Sequence, residues 1–337
     1  MKKLLLTIAI ASLIPLTSVE AKDKDNVFTG SWISSNDGDV TTLPEAREGA
    51  CLGRVDNRLI MTHGYSEGDT GHVRIYNVNT DTWHTGATSP NRRSEGVGAT
   101  YMGDVFCIGG RVRTIVERYR LSDNTWTTMS PMNVARGGPA ADVFEYEMDA
   151  MDFLGEYIID PKIYVFGGRN GATPFNGDVL DSAEVYDIKT NTWSAITPPP
   201  TPVSDARAVT KGGKIFLIGG AIGSPQESSA LLQIYDPYDD SWEAGPDMDT
   251  PRANHAAAYI GNTIYVIGGA LRNSETNDRL DTVEAYDVDK GQWTADLAVK
   301  PNGSNETHAV RIANKLYLPG SGLGGASREF FDVFSRK

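Results

Sequence analysis

Apolar residues in this chain come in runs of four, too short and too regularly interrupted for helices. Val105-Phe106-Cys107-Ile108, Ile163-Tyr164-Val165-Phe166, Ile215-Phe216-Leu217-Ile218 and Ile264-Tyr265-Val266-Ile267 are β-branched and aromatic. Each is followed at once by a glycine pair: Gly109-Gly110, Gly167-Gly168, Gly219-Gly220 and Gly268-Gly269. Runs of this length and punctuation predict strands. A degenerate copy ends in His63-Gly64. Downstream of each pair a Tyr is followed seven residues later by a Trp: Tyr76/Trp83, Tyr119/Trp126, Tyr186/Trp193, Tyr235/Trp242 and Tyr286/Trp293. Turn residues such as Asn79-Thr80-Asp81, Ser122-Asp123-Asn124 and Lys189-Thr190-Asn191 separate the two aromatics and predict a tight hairpin. Each unit of roughly 45–65 residues therefore reads as one four-stranded antiparallel sheet in a repeat array.

One such sheet cannot cover both of its faces. Sheets stacked around an axis can, and closing the ring hides the last contacts. A sixth unit runs through Lys315-Leu316-Tyr317-Leu318, a degenerate Pro319-Gly320-Ser321, and Glu329-Phe330-Phe331-Asp332. Its Trp would fall one residue beyond Lys337, and the matching Trp stands at the other end, in Thr29-Gly30-Ser31-Trp32. The expected fold is an all-β, six-bladed propeller. Residues near 26–35 are expected to form the outer strand of the sixth blade, with Trp32 beside the Phe331 segment.

Lys2-Lys3, an apolar run from Leu4 to about Leu16 and the small-residue pattern at Val19-Glu20-Ala21 read as an export signal over residues 1–21. Residues 22–337 are then one periplasmic or secreted domain, and no later segment is apolar enough to span a membrane. Formal charge is −13, or −14 without residues 1–21, which carry two Lys and one Glu. Such a surface repels phosphate backbones and argues against nucleic acid as a partner.

The Gly-Gly, Tyr-Asp and Trp recurrence, seen in Tyr186-Asp187, Tyr235-Asp236 and Tyr286-Asp287, resembles the kelch-repeat propeller family over essentially the whole of residues 22–337. The resemblance implies a ligand face made by the entries to the innermost strands and the loops after the glycine pairs. Entries offer Arg47 and Glu48, Arg93 and Glu95, Arg136, Asp205, Arg252 with Asn254 and His255, and Asn305, Glu306 and His308. The loops offer Tyr65, Arg111, Arg169, Asn170 and Arg272. Arg47, Arg93, Arg111, Arg136, Arg169 and Arg252 converging on one mouth would bind the carboxylates or sulfates of an anionic glycan or acidic peptide. The alternative for those arginines is pairing with neighbouring carboxylates to tie blades together. The architecture is also similar to that of exported kelch proteins that epimerise sialic acid. An epimerase or mutarotase would draw its acid or base from Glu48, Glu95, Glu306, His255 and His308, none of which a local motif marks.

No cofactor or metal is expected. A copper site of the galactose-oxidase kind finds no ligand set among the five His and two Cys. Cys51 and Cys107 lie on strands of different blades and read as buried free thiols, an inter-blade disulfide being the alternative. Gly320-Ser321-Gly322-Leu323-Gly324-Gly325 matches G-x-G-x-x-G with no helix after it, which rejects nucleotide binding. The acid pairs Asp178/Asp181 and Asp278/Asp281 recur at one repeat position, as loop geometry requires, with calcium the lesser alternative. Residues 142–160 add an acidic stretch with interleaved aromatics to the third unit. It is expected to form a long hairpin projecting away from the arginine face, with partner docking the alternative.

Overall fold

A computed structural model describes residues 30–151, 157–171, 177–273, 277–295, 297, 299–301, 308–323 and 326–336. The proposed export signal and Glu306 lie outside them. Six four-stranded antiparallel sheets make a six-bladed propeller. From inside outwards, blade 1 is Cys51–Val55, Arg58–Thr62, Val73–Asn77 and Thr82–Gly86, and blade 2 is Val97–Tyr101, Asp104–Ile108, Val116–Arg120 and Thr125–Thr128. Blade 3 is Ala140–Met151, Tyr157–Phe166, Ala183–Asp187 and Thr192–Ile196; blade 4 is Arg207–Lys211, Lys214–Ile218, Leu232–Asp236 and Ser241–Ala244. Blade 5 is Ala256–Ile260, Thr263–Ile267, Val283–Asp287 and Gln292–Thr294. Blade 6 takes Val310–Ile312, Lys315–Leu323 and Ala326–Arg336 from the far end of the chain, and its outer strand, Gly30–Ser34, from the near end.

The closing strand is where expected, but its register differs. Trp32 is paired with Phe334, not with the Phe331 segment, just as Tyr186 is paired with Trp193. Phe331-Asp332 imitates the Tyr-Asp of the other blades, yet the third strand of blade 6 runs three residues further before its partner begins. Phe334 packs against Trp32 with ring centroids 5.1 Å apart and the planes tilted by 57°. Phe331 instead packs against Tyr76 and Trp83 of blade 1, at 4.7 and 5.3 Å. The insertion in blade 3 extends the first two strands into a long hairpin, with Glu145 opposite Pro161 and Met151 opposite Tyr157.

A separate hydrophobic cluster fills each junction between neighbouring blades, as stacked sheets require. A polar staple repeats at the outer edge. The Tyr hydroxyls of residues 76, 119, 186 and 235 each donate at 2.6 Å to an Asp or Asn five residues on: Asp81, Asn124, Asn191 and Asp240. Those four residues have left-handed backbones, with φ from 46° to 57°, which Asn and Asp tolerate best after Gly. Their side chains also accept the N–H of Thr41, Ala87, Ser130 and Thr197 in the loop arriving from the preceding blade. Trp126, Trp193 and Trp242 donate their indole N–H to the carbonyls of Ala87, Ser130 and Thr197 at 2.7–3.0 Å. The sequence period is thus the period of a hydrogen-bonded joint as well as of the core.

The free-thiol expectation is corrected: Cys51 and Cys107 form a disulfide between blades 1 and 2, with Cα atoms 5.5 Å apart. Adjacent blades stack face to face, so an inner-strand residue of one meets the second strand of the next. Gly96 leaves the room required, since a Cβ there would lie 2.9 Å from Cys51 Sγ.

Candidate functional site at the channel rim

The entries to the inner strands form a backbone belt around the channel. Gly49, Glu95, Gly138, Asp205 and Asn254, one from each of blades 1 to 5, all have φ between 54° and 61°. The N–H of Glu95 donates to the carbonyl of Gly49 at 2.8 Å, Gly138 to Glu95 at 3.0 Å, Asp205 to Gly138 at 2.8 Å and Asn254 to Asp205 at 2.9 Å. The left-handed turn aims each amide at the preceding blade. It costs glycine little, whereas Glu95 and Asp205 hold it under strain of roughly 1 kcal/mol or more.

Of the six arginines expected to converge on the mouth, four stand two residues before a belt position, in blades 1, 2, 3 and 5; blade 4 has Val203 there. Those four are turned inward. Arg93, Arg136 and Arg252 are fully buried and paired with Glu117, Glu184 and Glu284 of their own blades, the last two at 3.0 and 2.5 Å. Each also donates to backbone carbonyls at the glycine pair: Arg93 to Gly109, Arg136 to Gly167 and Arg252 to Gly268. Arg47 is buried against Glu45 at 2.6 Å. These four brace strand entries and do not line a solvent-facing mouth. Blade 6 makes the equivalent contact with Lys300 and Asp332, at 2.6 Å. Arg169 is also fully buried, but it reaches the rim over Gly138, gripping Asp205 at 2.6 Å and Glu95 at 2.5 Å. A Cβ on Gly138 would collide with that Asp205–Arg169 pair. Arg111 alone of the six is partly exposed; it pairs with Asp69 at 2.9 Å and lies 5.7 Å over the Tyr65 ring.

The acid–base candidates separate in the same way. Burial lifts the Glu95 carboxyl to about 6, with the Asp205 charge adding to the rise and Arg169 opposing it. Burial also raises Glu48, partly buried and facing Arg279 and Arg111. His255 is packed in the core against Gly219 and Gly269, and neither ring nitrogen has a hydrogen-bond partner among the described residues. Burial, with Arg207 and Arg252 nearby, holds it neutral. His308 does line the rim cavity, its Nε2 3.3 Å from Arg207 Nη2, and burial and Arg207 hold it neutral too. Glu95, Arg169, Asp205, Arg207, Asn254 and His308 surround a space of about 20 Å³, room for a water rather than a sugar ring. Arg207 and His308 also line the wider channel beyond.

Glu117, Glu184 and Glu284 were missed from the sequence, although a signal was present. A Glu two residues before the repeat Tyr coincides with an Arg at the strand entry in blades 2, 3 and 5. In blade 4 Gln233 and Val203 replace both.

Residues 63–321 match the model of the Attractin/LZTR1 beta-propeller. The chain belongs to that family. Two relatives are similar over about half of the chain. Alpha-scruin of Limulus polyphemus is 29% identical over 191 residues, 53% of this chain and 18% of that protein. Spermatocyte protein spe-26 of Caenorhabditis elegans is 26% identical over 212 residues, 58% of this chain and 33% of that protein. The chain therefore spans a third or less of either relative. Among solved structures, that of YjhT superposes with a TM-score of 0.68 at 17% identity, covering 86% of this chain and 94% of the other, a likeness of fold. No helix of the described residues is long and apolar enough to cross a membrane.

Proposed function

We propose that this member of the Attractin/LZTR1 propeller family is an exported docking protein that captures an acidic peptide or an anionic glycan on its rim face. Kelch-type propellers commonly serve protein–protein interaction. The observation that carries the finer reading is the placement of guanidiniums in the loops after the glycine pairs. Arg111 stands over Tyr65, Arg113 is exposed, and Arg279 and Arg111 both act on the Glu48 carboxyl. A narrow central space favours ligands that lie across the rim over ligands that enter it. Guanidinium forks beside an aromatic face suit carboxylate or sulfate groups on an extended chain. The test is calorimetric titration with a polyglutamate peptide and with an oligouronate at two salt concentrations. Arg111→Glu with Arg279→Glu should abolish capture of whichever probe binds, with the melting temperature retained. Undiminished capture, or no binding of either probe at low salt, refutes the reading.

A second reading, a sugar epimerase or mutarotase, is favoured by Glu95 alone. A carboxyl near 6, held against Arg169 in a strained backbone, is poised to exchange protons near neutral pH. It requires the rim to open around a sugar ring. NMR exchange spectroscopy on acidic sugars should then show anomeric or epimeric turnover that Glu95→Gln removes while binding persists. Absence of turnover in the wild type ends this reading and leaves the first intact.

A further inference from the structure

The inner strands run from the rim to a second mouth on the opposite face, about 15 Å away at roughly 3.3 Å per residue. Between these strands lies a cavity of about 190 Å³ lined in part by Gly98, Ala141, Ala208 and Ala257. These small residues are turned to neighbouring blades: a Cβ on Gly98 would meet the Leu52 backbone, and the three alanines pack in the inter-blade clusters. An apolar cavity of about 150 Å³ accepts benzene, so this one has room for a single six-membered ring.

The chemistry at its exit is cationic. Arg311 lies 4.1 Å over the Tyr259 ring and donates Nη2 to the Tyr259 hydroxyl at 3.2 Å. Lys211 Nζ lies 5.3 Å from the centre of the same ring. Neither cation makes an ion pair with a carboxylate among the described residues. That is unusual in a chain of net charge −13, whose buried arginines at the strand entries are mostly held by a carboxylate. Two like charges on one ring repel each other, and the ring quadrupole offsets only part of that. Of the carboxylates near Tyr259 among the described residues, Glu145 is exposed, and Asp142, in the cavity wall, is otherwise engaged. Its oxygens accept the backbone N–H groups of Val143 at 2.8 Å and Thr210 at 2.6 Å. Burial raises its carboxyl, which further weakens it as a counter-ion.

We infer that the exit opposite the rim binds a small oxyanion-bearing molecule, no larger than one sugar ring, between Arg311, Lys211 and the Tyr259 hydroxyl. That hydroxyl accepts from Arg311, so its own proton is left to point at the ligand. The carboxylate or phosphate group sits between the two cations, and the ring, where there is one, lies in the bore against Ala208 and Ala257. The site is separate from the rim and does not depend on the docking reading.

The probes are inorganic phosphate, sulfate and glucuronate, titrated into the full chain by calorimetry and followed by tyrosine chemical shifts. Binding of all three identifies a simple oxyanion site, and binding of glucuronate alone identifies one that requires the ring; both support the inference. Arg311→Gln and Lys211→Gln should each weaken binding about tenfold or more, as expected for loss of one charge-assisted contact. Lys290→Gln, an exposed cation of the outer hairpin of blade 5 and remote from both sites, should change nothing. Lys211 is partly exposed at a strand end, so its variant folds even where that of Arg311 does not. No binding of any probe at millimolar concentration, or binding indifferent to Lys211→Gln, overturns the inference.

Discussion

Removing one carboxylate from the buried pairs tests how the strand entries are held. Glu117 is buried in blade 2, where it receives Arg93, Asn91 at 2.8 Å and the Ser89 hydroxyl at 2.9 Å, with His63 Nε2 at 3.1 Å. Burial alone would raise its carboxyl, but the hydrogen bonds from His63, Arg93 and Asn91 hold it at about 2 instead of the usual 4.5. At about 1.36 kcal/mol per pH unit, that depression corresponds to roughly 3 kcal/mol of stability at pH 7. Breaking a buried pair from one side gives a similar figure, about 3–5 kcal/mol, because Arg93 is left buried without its counter-charge. For a propeller of about 300 residues, with an unfolding entropy near 0.6 kcal/mol/K, Glu117→Gln should lower the melting temperature by about 5 °C. The sign with pH follows from the depressed value. The contribution is complete above about 4.5 and is lost as pH falls towards 2, so the gap between wild type and variant should narrow on acidification. Blade 4 offers a control, since Val203 and Gln233 occupy the same two places. Arg93→Val with Glu117→Gln should therefore cost less than the two single changes added together. Thermal melts read by circular dichroism from pH 7 to pH 3 check all three expectations. A drop under 1 °C at pH 7, or a penalty that does not change with pH, would refute the reasoning.

The disulfide closes a sequence separation of 56 residues and should contribute about 4 kcal/mol by the loop-entropy relation. Thiol titration in denaturant should find no free Cys, and Cys51→Ala with Cys107→Ala should melt well below the wild type. Asn191→Ala should cost about 2 kcal/mol, from the Tyr186 and Ser130 hydrogen bonds and the left-handed backbone. Asn191→Gly, which copies Gly291 of blade 5, should cost less; equal melting temperatures would show that backbone strain plays no part. Glu95 runs opposite to Glu117. Its carboxyl is raised to about 6, so the stability of its protonated form is complete below about 4.5 and is lost as pH rises through 6. Melts of the wild type and Glu95→Gln should therefore diverge by roughly 2 kcal/mol between pH 4.5 and 7 in favour of the variant.

The blades were legible because their period is carried by residues whose size cannot be hidden. Tyr186 and Trp193 are directly paired across the outer hairpin, and the same spacing repeats in four other blades. Ring closure followed from counting Trp. Its register did not, because Phe331-Asp332 copies a dipeptide whose role belongs to Phe334. The arginines were legible as residues of the strand entry, but the direction of a long side chain was not. Arg136 and Arg169 are both fully buried; one turns into its own blade and the other bridges Glu95 and Asp205 at the rim. The partner of Arg136 leaves a trace in the repeat, the Glu two residues before its Tyr, whereas Glu95 and Asp205, the partners of Arg169, leave none. The same holds for Cys51 and Cys107, brought together only by the stacking of two blades. The belt of left-handed residues was invisible for another reason: Gly, Glu, Asp and Asn share it, and no single residue type marks it.

The central claim is that the two ends of the chain complete one blade in a fixed register. Ser31 and Ser335 are directly opposite in it, at a cross-strand separation of about 4.5–5.5 Å that a disulfide can bridge. Ser31→Cys with Ser335→Cys should therefore oxidise to an intramolecular bond, seen by mass spectrometry as a peptide joining residues 31 and 335. A Cys at 31 combined with one at 332, the register suggested by Phe331 beside Trp32, should stay reduced at those positions. The opposite pattern would contradict the register, and no bond with either pair would contradict the closed six-bladed ring itself.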